Sequence, residues 1–337
     1  MQPELPRCKL TEAVQIHFCY DKSMLNILIT SNISDGLAEK IQAVSKDITL
    51  FRPDDIEKQP ELIEDIEVLF GNTKAEYWEQ ATSLKWHQST HAGVANLIRK
   101  PAIKSHSAVI TNIHIHPVPM AEHALGLMIM LTRNIDVAYQ QQLNKTWDRK
   151  HIRDDIGVLY GKTLGVIGLG AVGSRVAELG QALGMNIIGI KRTPDKRDYP
   201  VLAPSQKHEL LKQSDFVVIV TPDTNETYQM IGKDEFKTMK PSSFIINIGR
   251  GAAIDTDALI NALKKGIIAG AGLDVVDPEP LPSASPLWDL PKVIITPHSS
   301  ADSLTYLEDA TEVFIGNLKR YIAGEQLINV IDRELGY

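Results

Sequence analysis

The chain has 337 residues, of which 43% are hydrophobic and 23% are charged. These are the proportions of a globular protein, and the length suits two domains better than one. The formal net charge of −7 gives no indication of the basic surface that binding to nucleic acid or to an anionic membrane requires. Two cysteines are too few for a secreted disulfide scaffold. With neither a signal peptide pattern nor an apolar run of roughly 18 residues, we expect a cytoplasmic protein.

Short apolar runs alternate with amphipathic segments along most of the chain, the pattern of βαβ units with parallel strands. In the first third, strands are predicted at residues 25–30, 47–51, 68–71, 84–89 and 109–111. Helices are predicted between some of them, at residues 36–44 and 76–82. Together these elements predict a small α/β domain.

A long apolar-rich helix is predicted at residues 121–133, after Pro117 and Pro119, because proline is found at helix starts and not in their interior. A second α/β series follows from Gly161, with helices such as 172–183 and 255–265. Its six candidate strands are 163–168, 186–190, 216–221, 244–248, 269–275 and 293–296. Six strands form a complete dinucleotide-binding sheet. A final amphipathic helix at 303–322 is expected to return the chain to the first domain.

A glycine motif, G-x-G-x-x-G, follows the first strand of this second series and precedes a predicted helix. Gly168 would allow the tight turn, Gly170 the approach of a pyrophosphate, and Gly173 the close packing of helix against strand. The N–H groups of the helix N-terminus would then face the phosphates. A glycine-rich turn without a ligand is the alternative. The cofactor-binding residues expected here are Gly168, Gly170, Ala171, Val172 and Gly173.

The residues after the second strand of this series distinguish NAD from NADP. In NAD-binding proteins a carboxylate there accepts hydrogen bonds from the ribose 2′-hydroxyl. This chain instead has Lys191, Arg192 and Thr193, and the nearest acid, Asp195, follows Pro194. Two cations and a hydroxyl suit a 2′-phosphate, which arginine can bind through two parallel N–H bonds. We therefore expect NADP(H), with NAD(H) as the lesser alternative and a solvated basic turn as the interpretation without a ligand.

Four motifs occur in this order along the chain: residues 168–173, Asn247-Ile-Gly-Arg-Gly251, Asp274-Val-Val-Asp-Pro-Glu-Pro280 and Pro297-His298. In this order and spacing the chain resembles, over essentially its whole length, the D-isomer-specific 2-hydroxyacid dehydrogenase family. The segment Ala121-Glu-His123 is similar to the start of the family's interdomain helix.

The resemblance implies an α/β fold of two doubly wound parallel-sheet domains and a homodimer. A dinucleotide-binding Rossmann domain, residues 121–302 with the interdomain helix, would be inserted into a smaller flavodoxin-like substrate domain, residues 1–120 and 303–337. The implied activity is hydride transfer from NAD(P)H to a 2-keto acid, giving a D-2-hydroxy acid.

The resemblance implies catalytic roles for Arg250, Glu279 and His298. The chemistry of the reaction requires these residue types. A permanent cation at Arg250 can bind the substrate carboxylate or polarise its carbonyl. Hydride transfer to the carbonyl carbon leaves an oxyanion, which His298 can protonate. Glu279 can orient the imidazole and favour its charged form. Taken singly, the three could instead be a loop ion pair, a solvated acid in a proline-rich loop and a residue at a helix entry.

Further cofactor contacts follow from the same resemblance. Thr221 and Pro222 should lie against the adenosine side, with Thr227 in the loop that follows. Asp274 is a candidate partner for the nicotinamide carboxamide. The nicotinamide should also be bordered by Ile248, Gly249, Arg250 and His298.

The substrate is expected to bind partly in the first domain. The segment from His91 through Ala92, Gly93 and Val94 resembles the family's loop whose N–H groups hold the substrate carboxylate, and Arg250 and His298 would complete this set. The family often has an aspartate where this chain has Ala95, which puts the geometry of the loop in doubt and not its location.

Three residues keep two interpretations each. His114 and His116 alternate with isoleucines and have no third ligand, so we expect surface or packing histidines and no metal site, with pocket lining as the alternative. Trp147 follows the interdomain helix and either caps the pocket of a dimer partner or packs in its own core.

Other functions compatible with this fold are a dinucleotide-sensing corepressor and dehydrogenases of the phosphoglycerate or formate type. Such corepressors tend to carry disordered tails, and the long phosphoglycerate enzymes carry a regulatory domain. The sequence ends at Tyr337, soon after its last predicted helix, which favours neither. A hydrolase is disfavoured because no G-x-S-x-G motif occurs. The ending from residue 328 is similar to that of broad-specificity 2-hydroxyacid dehydrogenases, but the identity of the 2-keto acid stays open.

Overall fold

The computed structural model describes residues 24–72, 75–91, 93–153 and 156–333. Cys8, Cys19 and Ala92 lie outside the described residues. The chain divides into two compact units. Unit 1 comprises residues 1–113 and 305–337, and unit 2 comprises residues 114–304.

The helices and strands of unit 1 are β1 (Leu25–Ile29), α1 (Asp35–Gln42), β2 (Ile48–Phe51), α2 (Pro53–Lys58), β3 (Val68–Phe70), α3 (Ala75–Gln80), β4 (Trp86–Gln88), α4 (Ala95–Ile98), α5 (Pro101–Lys104) and β5 (Val109–Thr111). Unit 2 contains α6 (Pro117–Arg133), α7 (Ile135–Leu143), α8 (Arg149–Arg153), β6 (Thr163–Ile167), α9 (Ala171–Ala182), β7 (Asn186–Ile190), β8 (Val201–Leu202), α10 (Lys207–Gln213), β9 (Phe216–Ile219), α11 (Lys233–Thr238), β10 (Phe244–Asn247), α12 (Thr256–Lys264), β11 (Gly270–Leu273) and β12 (Val293–Ile295). The last helix, α13 (Tyr306–Ile322), belongs to unit 1.

The sheet of unit 1 has five parallel strands in the order β2-β1-β3-β4-β5. This is the flavodoxin-like order that the sequence predicted. Helix α13 packs on the sheet, where Phe314 stacks on Phe70 with ring centroids 4.3 Å apart. Leu318 and Tyr321 of the same helix are buried in this core. The amphipathic pattern of the last helix is therefore explained by an apolar face that lies on the first sheet.

The sheet of unit 2 has seven parallel strands in the order β8-β7-β6-β9-β10-β11-β12. Six strands were predicted here, and that number is wrong by one. Strand β8 has two residues, directly after Pro200, and pairs with the end of β7. Two residues carry no periodic pattern that a sequence could display. Strand β7 has the predicted bounds, and the other five strands end one or two residues earlier than predicted, which is the usual precision of element boundaries.

Alternate residues of the central strands of unit 2 face two separate cores. Val217 and Ile245 are buried on one face, whereas Val218 and Ile246 are buried on the other. A parallel sheet covered by helices on both faces requires such continuous apolar strands. The arrangement leaves the strand ends as the place where polar groups meet.

Helix α6 begins four residues earlier than predicted. Pro117 and Pro119 lie within its first turns, where a missing N–H costs no hydrogen bond. Its apolar side packs on the sheet of unit 2 in one core with strands β6 and β9. Among the described residues, the structure contains no helix with the length and apolar character that crossing a membrane requires.

Candidate active site

The glycine motif forms a tight turn between β6 and α9. Gly168 has φ of +108°, and a Cβ there would lie 2.5 Å from the Val220 carbonyl oxygen. A Cβ on Gly173 would lie 2.1 Å from the Gly168 carbonyl oxygen, so both positions require glycine. Gly170 is the N-cap of α9, and a Cβ there would meet nothing within 4 Å. The turn therefore leaves open space at the helix N-terminus, where phosphates bind.

The strand order of the sheet reverses between β6 and β9, and in this fold dinucleotides bind in a crevice at the carboxyl ends of such strands. Thr221 follows β9, and a Cβ on Gly249 would lie 3.0 Å from the Thr221 backbone nitrogen. The Thr221 hydroxyl oxygen is buried and has no hydrogen-bond partner among the described residues. Such a group needs a partner, and a ligand in the crevice would supply one. Next to it, the Thr227 hydroxyl donates to the Pro222 carbonyl at 2.6 Å and shapes the loop.

Three of the cations beyond the end of β7 form ion pairs. The Lys191 Nζ is 2.6 Å from Asp195 Oδ2, and the Arg192 Nη2 is 3.1 Å from Glu226 Oε2. Sequence reasoning missed the third, Arg197, whose Nε donates to Asp195 Oδ1 at 3.0 Å. Hydrogen bonds from Arg197 and Lys191 lower the pKa of Asp195 to about 2. The sequence carries no signal for Arg197, because the folded loop brings its side chain to Asp195.

Glu279 and His298 form a hydrogen-bonded pair. The His298 Nδ1 lies 2.8 Å from Glu279 Oε2, and the other carboxylate oxygen accepts a hydrogen bond from the Val276 backbone at 3.1 Å. The His298 side chain is 48% exposed and the Glu279 side chain is 37% exposed, so a substrate can reach the imidazole. Because Nδ1 faces the carboxylate, Nε2 is the nitrogen that can exchange a proton with a substrate.

Asp274 holds the turn that carries His298. Its backbone carbonyl accepts a hydrogen bond from the His298 N–H at 2.8 Å. Its carboxylate oxygens accept from the backbone N–H groups of Ser299 and Ser300, at 3.0 Å each, and from the Thr296 hydroxyl at 2.7 Å. Burial alone would raise the pKa of Asp274, but these hydrogen bonds outweigh burial and lower it. A contact between Asp274 and the nicotinamide carboxamide stays a prediction.

His298 itself adopts a left-handed backbone conformation, with φ of +53°. A histidine in this region is uncommon, and the surrounding hydrogen bonds must hold it there. The Nε2 of His123, on α6, lies 2.9 Å from the Thr296 hydroxyl and extends the network by one residue. The alternative in which His298 enters a helix is not what the structure shows, because α13 begins at Tyr306.

Arg250 lies in a turn that is closed by a buried asparagine. The Asn247 Nδ2 donates to the Arg250 carbonyl at 2.9 Å, and its Oδ1 accepts from the Gly249 N–H at 3.1 Å. A Cβ on Gly251 would lie 1.9 Å from the Val276 carbonyl oxygen. The glycine therefore allows the Arg250 turn to pack directly on the segment that leads to Glu279. The sequence motif included Asn247, but its role in closing the turn was not predicted. Its position, as a polar residue at the end of an apolar strand, could have indicated that role.

In unit 1, the loop after β4 is anchored at several points. The His91 N–H donates to the Ser89 hydroxyl at 3.1 Å, and the Tyr306 hydroxyl donates to the Thr90 carbonyl. Gly93 is exposed. Val94 is buried, and its carbonyl accepts the first hydrogen bonds of α4.

Below this loop lies a buried polar network that sequence reasoning did not identify. The Gln88 Oε1 accepts from the Thr111 hydroxyl at 2.8 Å and from Asn317 Nδ2 at 3.0 Å. The Gln88 Nε2 donates to the Asn112 carbonyl at 3.0 Å. These bonds join β4 and β5 to α13 and fix the strand end from which the loop begins.

The two histidines and the tryptophan that the sequence left with two interpretations differ in solvent exposure. His116 is buried and His114 is exposed. Trp147 is 95% exposed, so the interpretation as a packing tryptophan of its own core is wrong. The described residues contain no group of three His, Cys, Asp or Glu side chains that could hold a metal ion.

Comparison with known proteins places this site in a family. Residues 125–300 match the family model described as the NAD binding domain of the D-isomer specific 2-hydroxyacid dehydrogenases. The chain belongs to the D-isomer specific 2-hydroxyacid dehydrogenase family. The glyoxylate reductase of Pyrococcus furiosus is 31% identical to it, over 83% of this chain and 86% of that protein. The D-3-phosphoglycerate dehydrogenase of Methanocaldococcus jannaschii is 33% identical over 92% of this chain, which spans 60% of that longer protein.

A solved structure gives the same result for the fold. A family member from Xanthobacter autotrophicus, crystallised with NADPH and MES, is 26% identical to this dehydrogenase with a TM-score of 0.79. The match covers 94% of this chain and 100% of that one. The dehydrogenase is therefore an NAD(P)-dependent oxidoreductase that acts on the 2-hydroxy acid and 2-keto acid pair, and the crevice between β6 and β9 fits its nicotinamide dinucleotide.

Proposed function

We propose that this dehydrogenase reduces a small 2-keto acid to the D-2-hydroxy acid and that NADPH is its preferred reductant. The observation that carries the proposal is the 2.8 Å contact between His298 and Glu279. The contact gives an accessible imidazole a fixed orientation and a neighbouring carboxylate. A protein that only sensed a dinucleotide would have no need of such a proton donor.

The proposed mechanism assigns one task to each of the three residues. When bound, the reduced nicotinamide would supply the hydride that the substrate C2 receives. Arg250 binds the substrate carboxylate through its planar guanidinium. The His298 Nε2 donates its proton to the carbonyl oxygen as the C2–H bond forms, and solvent later returns that proton. Glu279 stabilises the charged imidazole through Nδ1 and keeps Nε2 towards the substrate.

The two units take different roles in this proposal. Unit 2 is the dinucleotide-binding domain, and unit 1 is the substrate domain. The loop that contains Ala92, Gly93 and Val94 holds the substrate carboxylate with its N–H groups. The anchors of that loop on Ser89 and Tyr306 support this assignment, because a binding loop must be preorganised.

The preference for NADPH rests on Lys191, Arg192 and Thr193 at the end of β7. Charge-assisted hydrogen bonds are worth roughly 1.5–3 kcal/mol when well formed, and exposure reduces that. We therefore expect kcat/KM to be about tenfold to a few hundredfold higher with NADPH than with NADH. The related dehydrogenase crystallised with NADPH agrees with this expectation.

The proposal includes a cytoplasmic homodimer. Helices α6 and α7 and the segment after them expose large apolar side chains, with Tyr139 55%, Leu143 57% and Trp147 95% exposed. A second copy would cover them, and Trp147 would cap the pocket of the partner. Sedimentation at micromolar concentration tests this: a monomer would contradict the dimer and the role of Trp147.

The direct test is a steady-state assay of glyoxylate, 3-phosphohydroxypyruvate and 2-ketoisocaproate with NADPH and with NADH. The account predicts turnover of at least one 2-keto acid, with higher kcat/KM for NADPH. Glyoxylate is included because of the glyoxylate reductase relative, and the phosphorylated acid because of the phosphoglycerate dehydrogenase relative. Tight binding of the dinucleotide without turnover of any acid would favour the corepressor-like alternative.

A further inference from the structure

The cations at the end of β7 already have an intramolecular counter-ion. Asp195 uses both carboxylate oxygens: Oδ1 accepts from the Arg197 Nε at 3.0 Å, and Oδ2 accepts from the Lys191 Nζ at 2.6 Å and the Arg197 Nη2 at 3.3 Å. The resulting cluster joins Lys191, directly after β7, to Arg197. No other carboxylate of the described residues forms an ion pair with either cation.

Arg197 connects this cluster to the helix that follows the glycine motif. Its Nη1 donates to the Ser174 hydroxyl at 3.1 Å and to the Tyr199 hydroxyl at 2.9 Å. Ser174 lies in the first turns of α9, which begins at Ala171. Arg197 is therefore held between the end of β7 and the start of α9, the two elements that flank the adenosine ribose in this fold.

An acid near this position could instead accept hydrogen bonds from the ribose hydroxyls of NAD. The geometry disfavours that role for Asp195, because each of its oxygens already accepts from a cation. Hydrogen bonds from Arg197 and Lys191 keep the pKa of Asp195 at about 2, so the carboxylate is charged at neutral pH. A 2′-phosphate carries a charge of about −1.5 to −2 and requires the same N–H donors.

We infer that Asp195 is an internal substitute for the cofactor 2′-phosphate: it gathers Lys191 and Arg197 in the cofactor-free enzyme and gives them up when NADPH binds. The inference rests on the proposed preference for NADPH and adds two residues to its determinants. Arg197 is a third phosphate-binding cation. Asp195 is a competing anion that lowers the affinity for the 2′-phosphate while keeping its cations in position.

The test uses ligands that differ only in the 2′-phosphate. Adenosine 2′,5′-bisphosphate and adenosine 5′-phosphate are titrated calorimetrically into the wild-type enzyme and into Asp195→Asn at low ionic strength. Exposed ion pairs are individually weak, so removing the competing charge should lower the Kd of the bisphosphate by roughly three- to tenfold. The Kd of adenosine 5′-phosphate should change by less than about twofold. At 0.5 M salt the gain should largely disappear.

Two further variants control the interpretation. Asp234→Asn removes the same charge from another exposed ion pair, that with Lys237, and should leave both Kd values unchanged. Arg197→Ala should raise the Kd of the bisphosphate and leave that of adenosine 5′-phosphate unchanged.

Two results would overturn the inference. An unchanged bisphosphate Kd in Asp195→Asn would mean that the carboxylate does not compete. Weaker binding of both ligands would mean that Asp195 supports the loop or binds the ribose itself. The wild-type titrations test the proposed cofactor preference separately, because an enzyme that ignores the 2′-phosphate would bind both ligands equally well. That preference can therefore fail independently of the response to Asp195→Asn.

Discussion

At the scale of single residues, the proton donor is defined by which imidazole nitrogen is already engaged. Nδ1 of His298 faces Glu279, and Nε2 remains for the substrate. His298→Ala should therefore lower kcat by about 10²–10⁴-fold and leave the Kd of NADPH within about threefold, because the cofactor is held mainly by other residues.

His208→Ala provides a matched control for this variant. His208 is also in unit 2 and lies near a glutamate, with 3.5 Å between its Nε2 and Glu235 Oε1. The His208→Ala enzyme should keep full activity. Near-normal turnover by a folded His298→Ala enzyme would remove His298 from the mechanism.

The role of Glu279 is visible in the separate values of kcat and KM. Glu279 lies 2.8 Å from Nδ1 of His298 and keeps Nε2 towards the substrate. Glu279→Ala removes that contact, so kcat should fall by about tenfold or more while KM changes little. Glu279→Gln keeps an oxygen that can accept from Nδ1 and should recover part of the loss. Steady-state kinetics of both variants measure the effect, and an unchanged kcat in Glu279→Ala would mean that Glu279 does not position the proton donor.

Sequence reasoning at this scale was strongest where a motif implies a chemical role. It selected Glu279 and His298, 19 residues apart, and the structure brings them within 2.8 Å. It did not find Arg197 or the way in which Asp274 holds the His298 turn. Both depend on which side chains a folded loop brings together, and spacing along the chain does not display that.

At the scale of the elements, the close approach of two turns determines where Arg250 lies. A Cβ on Gly251 would lie 1.9 Å from the Val276 carbonyl oxygen. Gly251→Ala must therefore push the Arg250 turn away from the segment that leads to Glu279. We expect kcat/KM to fall by about 10²-fold, since a displacement of about 1 Å can have that effect.

Gly232→Ala is the control for the added methyl group. A Cβ at Gly232 would meet nothing closer than the Glu235 Oε2, at 3.6 Å. The Gly232→Ala variant should therefore leave kcat/KM unchanged. Equal activity of the two variants would show that the packing of the Arg250 turn is irrelevant to catalysis.

Strand β4 carries a buried histidine that should make stability depend on pH. Burial lowers the pKa of His87 to about 4, against the opposing effect of its hydrogen bond with the Gly71 carbonyl. The unfolded chain takes up a proton near pH 6.5, whereas the folded chain does so only near pH 4. The stabilising contribution of the neutral form is therefore complete above pH 6.5 and is lost as the pH falls towards 4.

Between pH 7 and pH 4.5 this should remove about 2–3 kcal/mol of the free energy of unfolding. In His87→Gln the loss over the same interval should be smaller by about that amount. Urea unfolding at both pH values, followed by tryptophan fluorescence, measures the difference. His208→Gln, at an exposed position, is the control. The same pH dependence in the wild type and His87→Gln would refute the assignment.

The elements themselves could be predicted where the hydrophobic pattern is long. Strands such as β7, Asn186–Ile190, are continuous apolar runs, and their bounds were predicted within a residue or two. Strand β8 and the start of α6 were not, because a two-residue pairing and prolines inside a first turn depend on tertiary contacts and leave no period in the sequence.

At the scale of the whole molecule, the fold class followed from the sequence more readily than the assembly did. Alternating βαβ units restrict the sheets to parallel, right-handed arrangements, and the family resemblance implied a flavodoxin-like and a Rossmann sheet, though without the short strand β8. The substrate could not be predicted, because its side chain is selected by the shape of a pocket. The homodimer stays a prediction, because the exposed Tyr139, Leu143 and Trp147, four residues apart, indicate an apolar surface and not what covers it.

The central claim is that this enzyme transfers a hydride to C2 of a 2-keto acid with D stereochemistry. It is tested by reducing 2-ketoisocaproate or 3-phosphohydroxypyruvate, whichever the enzyme turns over, with NADPH that carries two deuterons at the nicotinamide C4, followed by mass spectrometry and chiral chromatography of the product. We expect the D-2-hydroxy acid with one deuterium at C2. A product without deuterium, or the L enantiomer, would contradict the account.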